Sequence, residues 1–381
     1  MPSVADRKAG WRKAWLPALP AALVVPILLL LARPGDASFW AVPQLKAPVT
    51  IAVQAEPTTL SRIGSSRFGE LIWRGGLIVG AEHPAFGGFS GLAVSADGAR
   101  LLAVSDRGLW WRTRLRHDGK GLLAGLARES ILAPVLSSRG RPLAGFWRDA
   151  EALAPFDARR LDGPLLVAFE RRVRLALYDW GERKARARAR YLFLPVPIHR
   201  ARENGEIESI ARFWNGPLAG HILGVIEKGR AKNGARRAFL WKDREVIPFF
   251  IESQGRFRIT DAAVLPDGSG FLTLERRITK SFTKPPAFSI RLFRADAVRK
   301  GALLKGAVLM QATWPMQAID NMEGLALYER GEELRLLLIS DDNFNRGLQS
   351  TLLFEFALPK TRLRALLKAL ADAGRSETAT D

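Results

Sequence analysis

Residues 320–345 read DNMEGLALYERGEELRLLLISDDNFN. The acidic Glu323 precedes a short apolar run, Leu325 to Tyr328, and Arg330-Gly331 supplies a turn. A second apolar run, Leu334 to Ile339, ends in Ser340-Asp341-Asp342-Asn343. Two short apolar runs joined by a tight glycine turn predict a β-hairpin. Antiparallel pairing brings the open ends of a hairpin together, so the polar residues before the first strand meet those after the second.

The unit recurs four more times. Phe89-Ser90-Gly91-Leu92-Ala93-Val94 runs to the turn Asp97-Gly98, and Leu101 to Ser105 then ends at Asp106-Arg107. Asp149-Ala150-Glu151-Ala152-Leu153 reaches Asp162-Gly163, and Leu165 to Phe169 ends at Glu170-Arg171. Glu206-Ile207-Glu208-Ser209-Ile210-Ala211 reaches Asn215-Gly216, and His221 to Ile226 ends at Glu227-Lys228. Asp261-Ala262-Ala263-Val264-Leu265 reaches Asp267-Gly268, and Phe271 to Leu274 ends at Glu275-Arg276. The opening positions 90, 151, 208, 261 and 323 are 61, 57, 53 and 62 residues apart, which marks a repeat architecture.

Each repeat has room for two further strands. They are expected at 172–180 and 189–194 in the second repeat, 237–241 and 246–251 in the third, and 289–293 and 307–312 in the fourth. After the fifth closing acid only Thr351 to Leu358 is evident, and a strand from Leu71 to Val79 would supply the missing one. The fold class is therefore all-β: a β-propeller of five or six four-stranded blades, with an N-terminal strand closing the ring. Its expected limits are 68–358. A linker and first strand at 41–67 precede it, and an amphipathic helix with a polar tail at 359–381 follows.

The chain has 381 residues, is 48% hydrophobic, lacks cysteine and carries a net charge of +20. Such charge attracts anions. The basic residues are spread along the chain without zinc spacing, an RNA-binding aromatic signature or a helix-turn-helix, which argues against nucleic acid. Near the N-terminus, Arg7, Lys8, Arg12 and Lys13 precede the apolar run Trp15 to Ala32. That pattern predicts a signal peptide or an uncleaved membrane anchor within 1–40, and with it a periplasmic or secreted monomer.

The hairpin geometry gathers the opening and closing motifs on one funnel-shaped face. Glu208, Glu275 and Glu323 are candidate catalytic carboxylates there, and Arg107, Arg171, Lys228 and Arg276 are candidate groups for an anionic small-molecule substrate. The fifth repeat has Asp341-Asp342-Asn343 where the others place a base. With Glu323, these make an acidic corner suited to a hard cation such as Ca²⁺. The same acid-base pairs could instead neutralise one another and lock the blades. No histidine has metal-ligand spacing to another; His83 is the one near the funnel.

The combination of GGFSGLAVSADGARLLAVSDRG, GEIESIA, the Glu-Arg strand ends and DNMEGLALYE…LLLISDDNFN resembles the bacterial family described as having esterase-like activity of phytase. The resemblance implies an exported propeller related to phosphoester hydrolysis. It also implies an architecture like that of the alkaline propeller phytases, in which calcium bridges carboxylates and substrate phosphates. Two classes of function stay open: a metal-assisted hydrolase of phosphate or carboxyl esters, and a non-catalytic envelope module binding a ligand or protein.

Overall fold

The computed structural model describes residues 44–194, 207–231, 234–278 and 285–378. The expected leader in 1–40, His199 and the side chain of Lys228 lie outside the described residues. Among them the strands form five four-stranded antiparallel groups, the first four built in chain order from the axis outward. The first comprises Phe89–Val94, Arg100–Ser105, Leu109–His117 and Glu129–Pro134; the second, Ala150–Pro155, Pro164–Phe169, Arg174–Asp179 and Ala189–Leu192. The third comprises Ile207–Arg212, Ile222–Arg230, Arg236–Lys242 and Glu245–Ile251; the fourth, Arg258–Val264, Gly270–Arg277, Ala287–Arg294 and Ala307–Thr313. Asn321–Arg330, Glu333–Asp341 and Thr351–Pro359 begin the last, and Leu71–Ala81 completes it.

The first strands of the groups stand side by side in order, and Asn321–Arg330 returns to lie against Phe89–Val94. This closed circle of outward-running meanders is a β-propeller. The ring is fastened as the sequence predicts: Leu71–Ala81 pairs antiparallel with Thr351–Pro359, as one strand bulged at Arg74. The structure adds a second fastening. Val49–Thr58 pairs with Leu71–Ala81 through Val53 to Thr58 and with Glu129–Pro134 through Val49 to Ala52, so it bridges the last group and the first.

The core is divided between neighbouring groups rather than gathered at one centre. Five apolar clusters each fill one gap around the ring. Between the first two groups, the fully buried Trp110 meets Tyr178 edge-on at 5.4 Å and Trp180 at 4.9 Å. Burying one such side chain contributes about 1.5–3 kcal/mol, so each gap is a strong bond between blades. The C-terminal helix Lys360–Thr378 lays Leu363, Leu366, Leu367 and Leu370 on the cluster between the fourth and fifth groups. Its apolar stripe is thus covered by the propeller itself. His117 ends a strand, and its Nε2 is 3.2 Å from the buried Glu355, which Tyr328 and Arg335 also contact. It acts in packing between blades.

Candidate functional site

Every innermost strand carries one unpaired extra residue at the same height. Register shifts leave Ser90, Glu151, Glu208, Thr260 and Glu323 outside the ladder. A β-bulge re-aims its extra residue and bends the strand, so five bulges at one level tilt five polar side chains together. Three residues further on, Ala93, Ala154, Ala211, Ala263 and Ala326 line the central channel. Only small groups fit where five strands converge: a Cβ added to Gly91 would stand 2.6 Å from the Leu153 nitrogen on the neighbouring strand.

This register corrects the fourth repeat by one residue. Thr260, not Asp261, occupies the bulge, and Ile259 pairs with Glu275, so Arg276 holds the closing position. Asp261 instead accepts the Leu325 N–H of the next innermost strand at 2.7 Å and the Ala262 N–H at 2.8 Å. Glu275 is buried against Arg291 Nε at 2.5 Å and accepts the Thr273 hydroxyl at 2.9 Å. Its neighbours belong to its own sheet, which removes it from the candidate catalytic set. The missed signal is the alanine: SGLA, EALA, ESIA, TDAA and EGLA all end in it.

The acidic cluster that does form centres on the first, second and fifth groups. One oxygen from each of Asp149, Glu151 and Glu170 lies within 4.8 Å of the others. Burial holds the Glu151 carboxyl well above the usual range, reinforced by the negative charges of Asp149, Glu323, Glu208 and Asp106. Asp149 is raised by burial against the pull of Arg171, whose Nε stands 2.7 Å away. Asp341 is raised by burial and by Glu323 and Asp106.

Asp106 is pushed up to about 7, mainly by burial, with Asp149 and Glu323 adding to the shift and Arg107 opposing it. Its Oδ1 is buried and accepts no hydrogen bond among the described residues, while Oδ2 lies 3.5 Å from Arg107 Nη1. An ionised carboxylate so placed lacks a hydrogen-bond donor at Oδ1, which disfavours its charge.

Other candidates serve different ends. Asp342 accepts the N–H groups of Gly88 at 3.0 Å and Phe344 at 3.1 Å, and the Thr351 hydroxyl at 3.2 Å. It ties the loop entering the first group to the end of the fifth, and a Cβ on Gly87 would stand 2.5 Å from its Oδ1. Asn343 donates to Gln349 at 3.2 Å. The two therefore lock loops, and the expected acidic corner is reduced to Asp341 and Glu323. Glu323 accepts from Asn321 Nδ2 at 2.7 Å and is paired with Arg276. Arg107 lies over the Phe344 ring at 5.0 Å. His83 accepts the Ala85 N–H through Nδ1 and shapes a turn.

Acids, arginines and a carboxyl that titrates near neutrality thus share one mouth of the channel. A family model described as phytase-like, esterase-like activity of phytase, matches residues 84–344. The chain belongs to this family. The matched span contains the bulge of every innermost strand and every closing acid of the ring. No curated protein matches the chain. Among solved structures, a nidogen/laminin complex aligns over 71% of this chain and 86% of its own at 11% identity and a TM-score of 0.34. The β-propeller domain of Myceliophteria thermophila Cps50 (Swd1) aligns over 67% of this chain and 65% of its own at 13% identity and a TM-score of 0.32. With likeness this distant, the fold assignment rests on the strand topology.

Proposed function

We propose that this phytase-like protein is an exported hydrolase whose funnel cleaves a phosphate or carboxyl ester. The observation that carries the proposal is Asp106: a carboxyl poised near neutrality, beside Arg107 and facing the Asp149-Glu151 pair. A group with that ionisation can take a proton from water and return it to a leaving oxygen at physiological pH. Arg107 and Arg171 would bind the anionic part of the substrate, and Arg276 would hold Glu323 in place.

The donor set suits a hard cation, since Asp149, Glu151 and Glu170 offer oxygen alone and like charges crowd one another there. Ca²⁺ held by these three would supply positive charge for an ester oxygen. The leader or anchor expected in 1–40 supports a place in the periplasm or outside the cell, and the acid-base ring supports a small anionic substrate.

The test is release of phosphate from inositol hexakisphosphate and of acid from a short acyl ester, each with Ca²⁺ and with chelator. Turnover of either that is lost on chelation supports the proposal in full. Turnover of neither favours the second reading, a non-catalytic propeller binding a ligand or envelope protein. The mutual neutralisation of Arg171 with Asp149 and of Arg276 with Glu323 is the observation in favour of that reading.

A further inference from the structure

A group of exposed aromatic side chains stands at the edge of this funnel. Phe146 and Trp147 lie on a short turn, Gly145–Trp147, and are 45% and 50% exposed. Tyr191, on the outermost strand of the second group, is 42% exposed. Large rings left this open beside one another mark a binding surface more often than chance. Three arginines are interleaved with them. Arg171 lies over the Phe146 ring at 5.3 Å and Arg172 over Trp147 at 5.7 Å. Arg174 lies 5.1 Å from Trp147 and 5.9 Å from Tyr191.

Two features tie this patch to the funnel. Trp147 is two residues from Asp149 in the chain, and Arg171 touches both the Phe146 ring and the Asp149 carboxylate. Arg174 is held by backbone oxygens, donating to the carbonyls of Arg172 at 2.9 Å and of Trp147. Its guanidinium lies over the buried Phe169 ring at 3.7 Å, with Trp147 and Tyr191 further out. A fully hydrophilic polyphosphate would use the arginines and leave the rings idle. A ligand with an anionic group and a planar apolar group would use both, stacking on Trp147 while its charge meets Arg171.

We infer that Phe146, Trp147 and Tyr191 with these arginines form a subsite for the apolar part of an aryl ester, an aryl phosphate being the simplest case. This names a substrate class for the funnel and so rests on the hydrolase proposal for its catalytic meaning, though binding alone can be measured without it.

The test is titration calorimetry on the full chain with phenyl phosphate, inorganic phosphate and inositol hexakisphosphate, in chelator. Phenyl phosphate should bind about tenfold more tightly than inorganic phosphate. Trp147→Ala should erase that preference without weakening inorganic phosphate, and Trp147→Phe should keep most of it. Since Trp147 is at the surface, an unchanged melting temperature would confirm that the variants fold.

Equal binding of the two phosphates, or a preference that survives Trp147→Ala, overturns the subsite. So does binding of anionic phosphatidylglycerol vesicles that depends on Trp147 when phenyl phosphate does not bind, since the patch would then be a lipid contact. An aryl preference without any turnover would sustain the subsite while the hydrolase proposal fails. Turnover without an aryl preference would do the reverse.

Discussion

Arg171 Nε stands 2.7 Å from Asp149 Oδ2, joining the end of one strand to the start of its neighbour within the second group. The aspartate is buried while the arginine is about one-third open, so solvent screens the pair in part. Arg171→Gln keeps much of the size and removes the charge. It should raise the Asp149 carboxyl still further and cost about 1 kcal/mol of stability. Inorganic phosphate should bind more weakly, and calorimetry with denaturant melts would measure both effects.

Asp106 makes the protein sensitive to pH in an unusual direction. Its folded value of about 7 exceeds the ordinary 3.8, so between those limits the folded chain binds more protons than the unfolded one. The contribution of this group to stability is therefore full in acid and declines as pH rises through that window. Asp106→Asn should flatten the decline and raise stability at pH 8 by roughly 1–3 kcal/mol, seen in melts at pH 5 and pH 8. If Asp106 moves protons, the same substitution also removes the inflection near neutrality from the rate profile.

Glu275 gives the opposite test. Both it and Arg291 are almost wholly enclosed, and breaking such a pair leaves an unpaired buried charge. Glu275→Gln should cost about 3–5 kcal/mol of unfolding free energy while leaving KM for any substrate unchanged. A large change in KM with intact stability would return Glu275 to the site.

The alanine ring sets the bore of the channel. Ala154→Leu would push a branched side chain among five converging strands, and denaturant melts should show a loss of about 1–3 kcal/mol.

Hairpins are local, so Asp97-Gly98, Asp162-Gly163 and Asp267-Gly268 announce their turns in the sequence, and the repeat with its closing strand follows from them. The fourth repeat misleads because the acidic Asp261 sits next to the true bulge at Thr260, and its charge resembles the opening acids more closely than the threonine does. What the sequence hides is pairing across long separations. The contact of Asp342 with Gly88 spans 254 residues. The field that raises Glu151 comes from Asp149, Glu323, Glu208 and Asp106, which only ring closure brings together. Asp106 and Asp149 stand out as functional candidates for that reason alone: nothing in their local sequence separates them from a structural acid.

The most direct measurement compares ester turnover by the wild-type chain and by Glu151→Gln in calcium, using an aryl phosphate and a short acyl ester. Glu151 lies at the centre of the acidic cluster, and its isosteric change should leave melting near normal while lowering kcat by about a hundredfold or more. Equal turnover by the two proteins, or none by the wild type on either ester, would contradict a catalytic funnel.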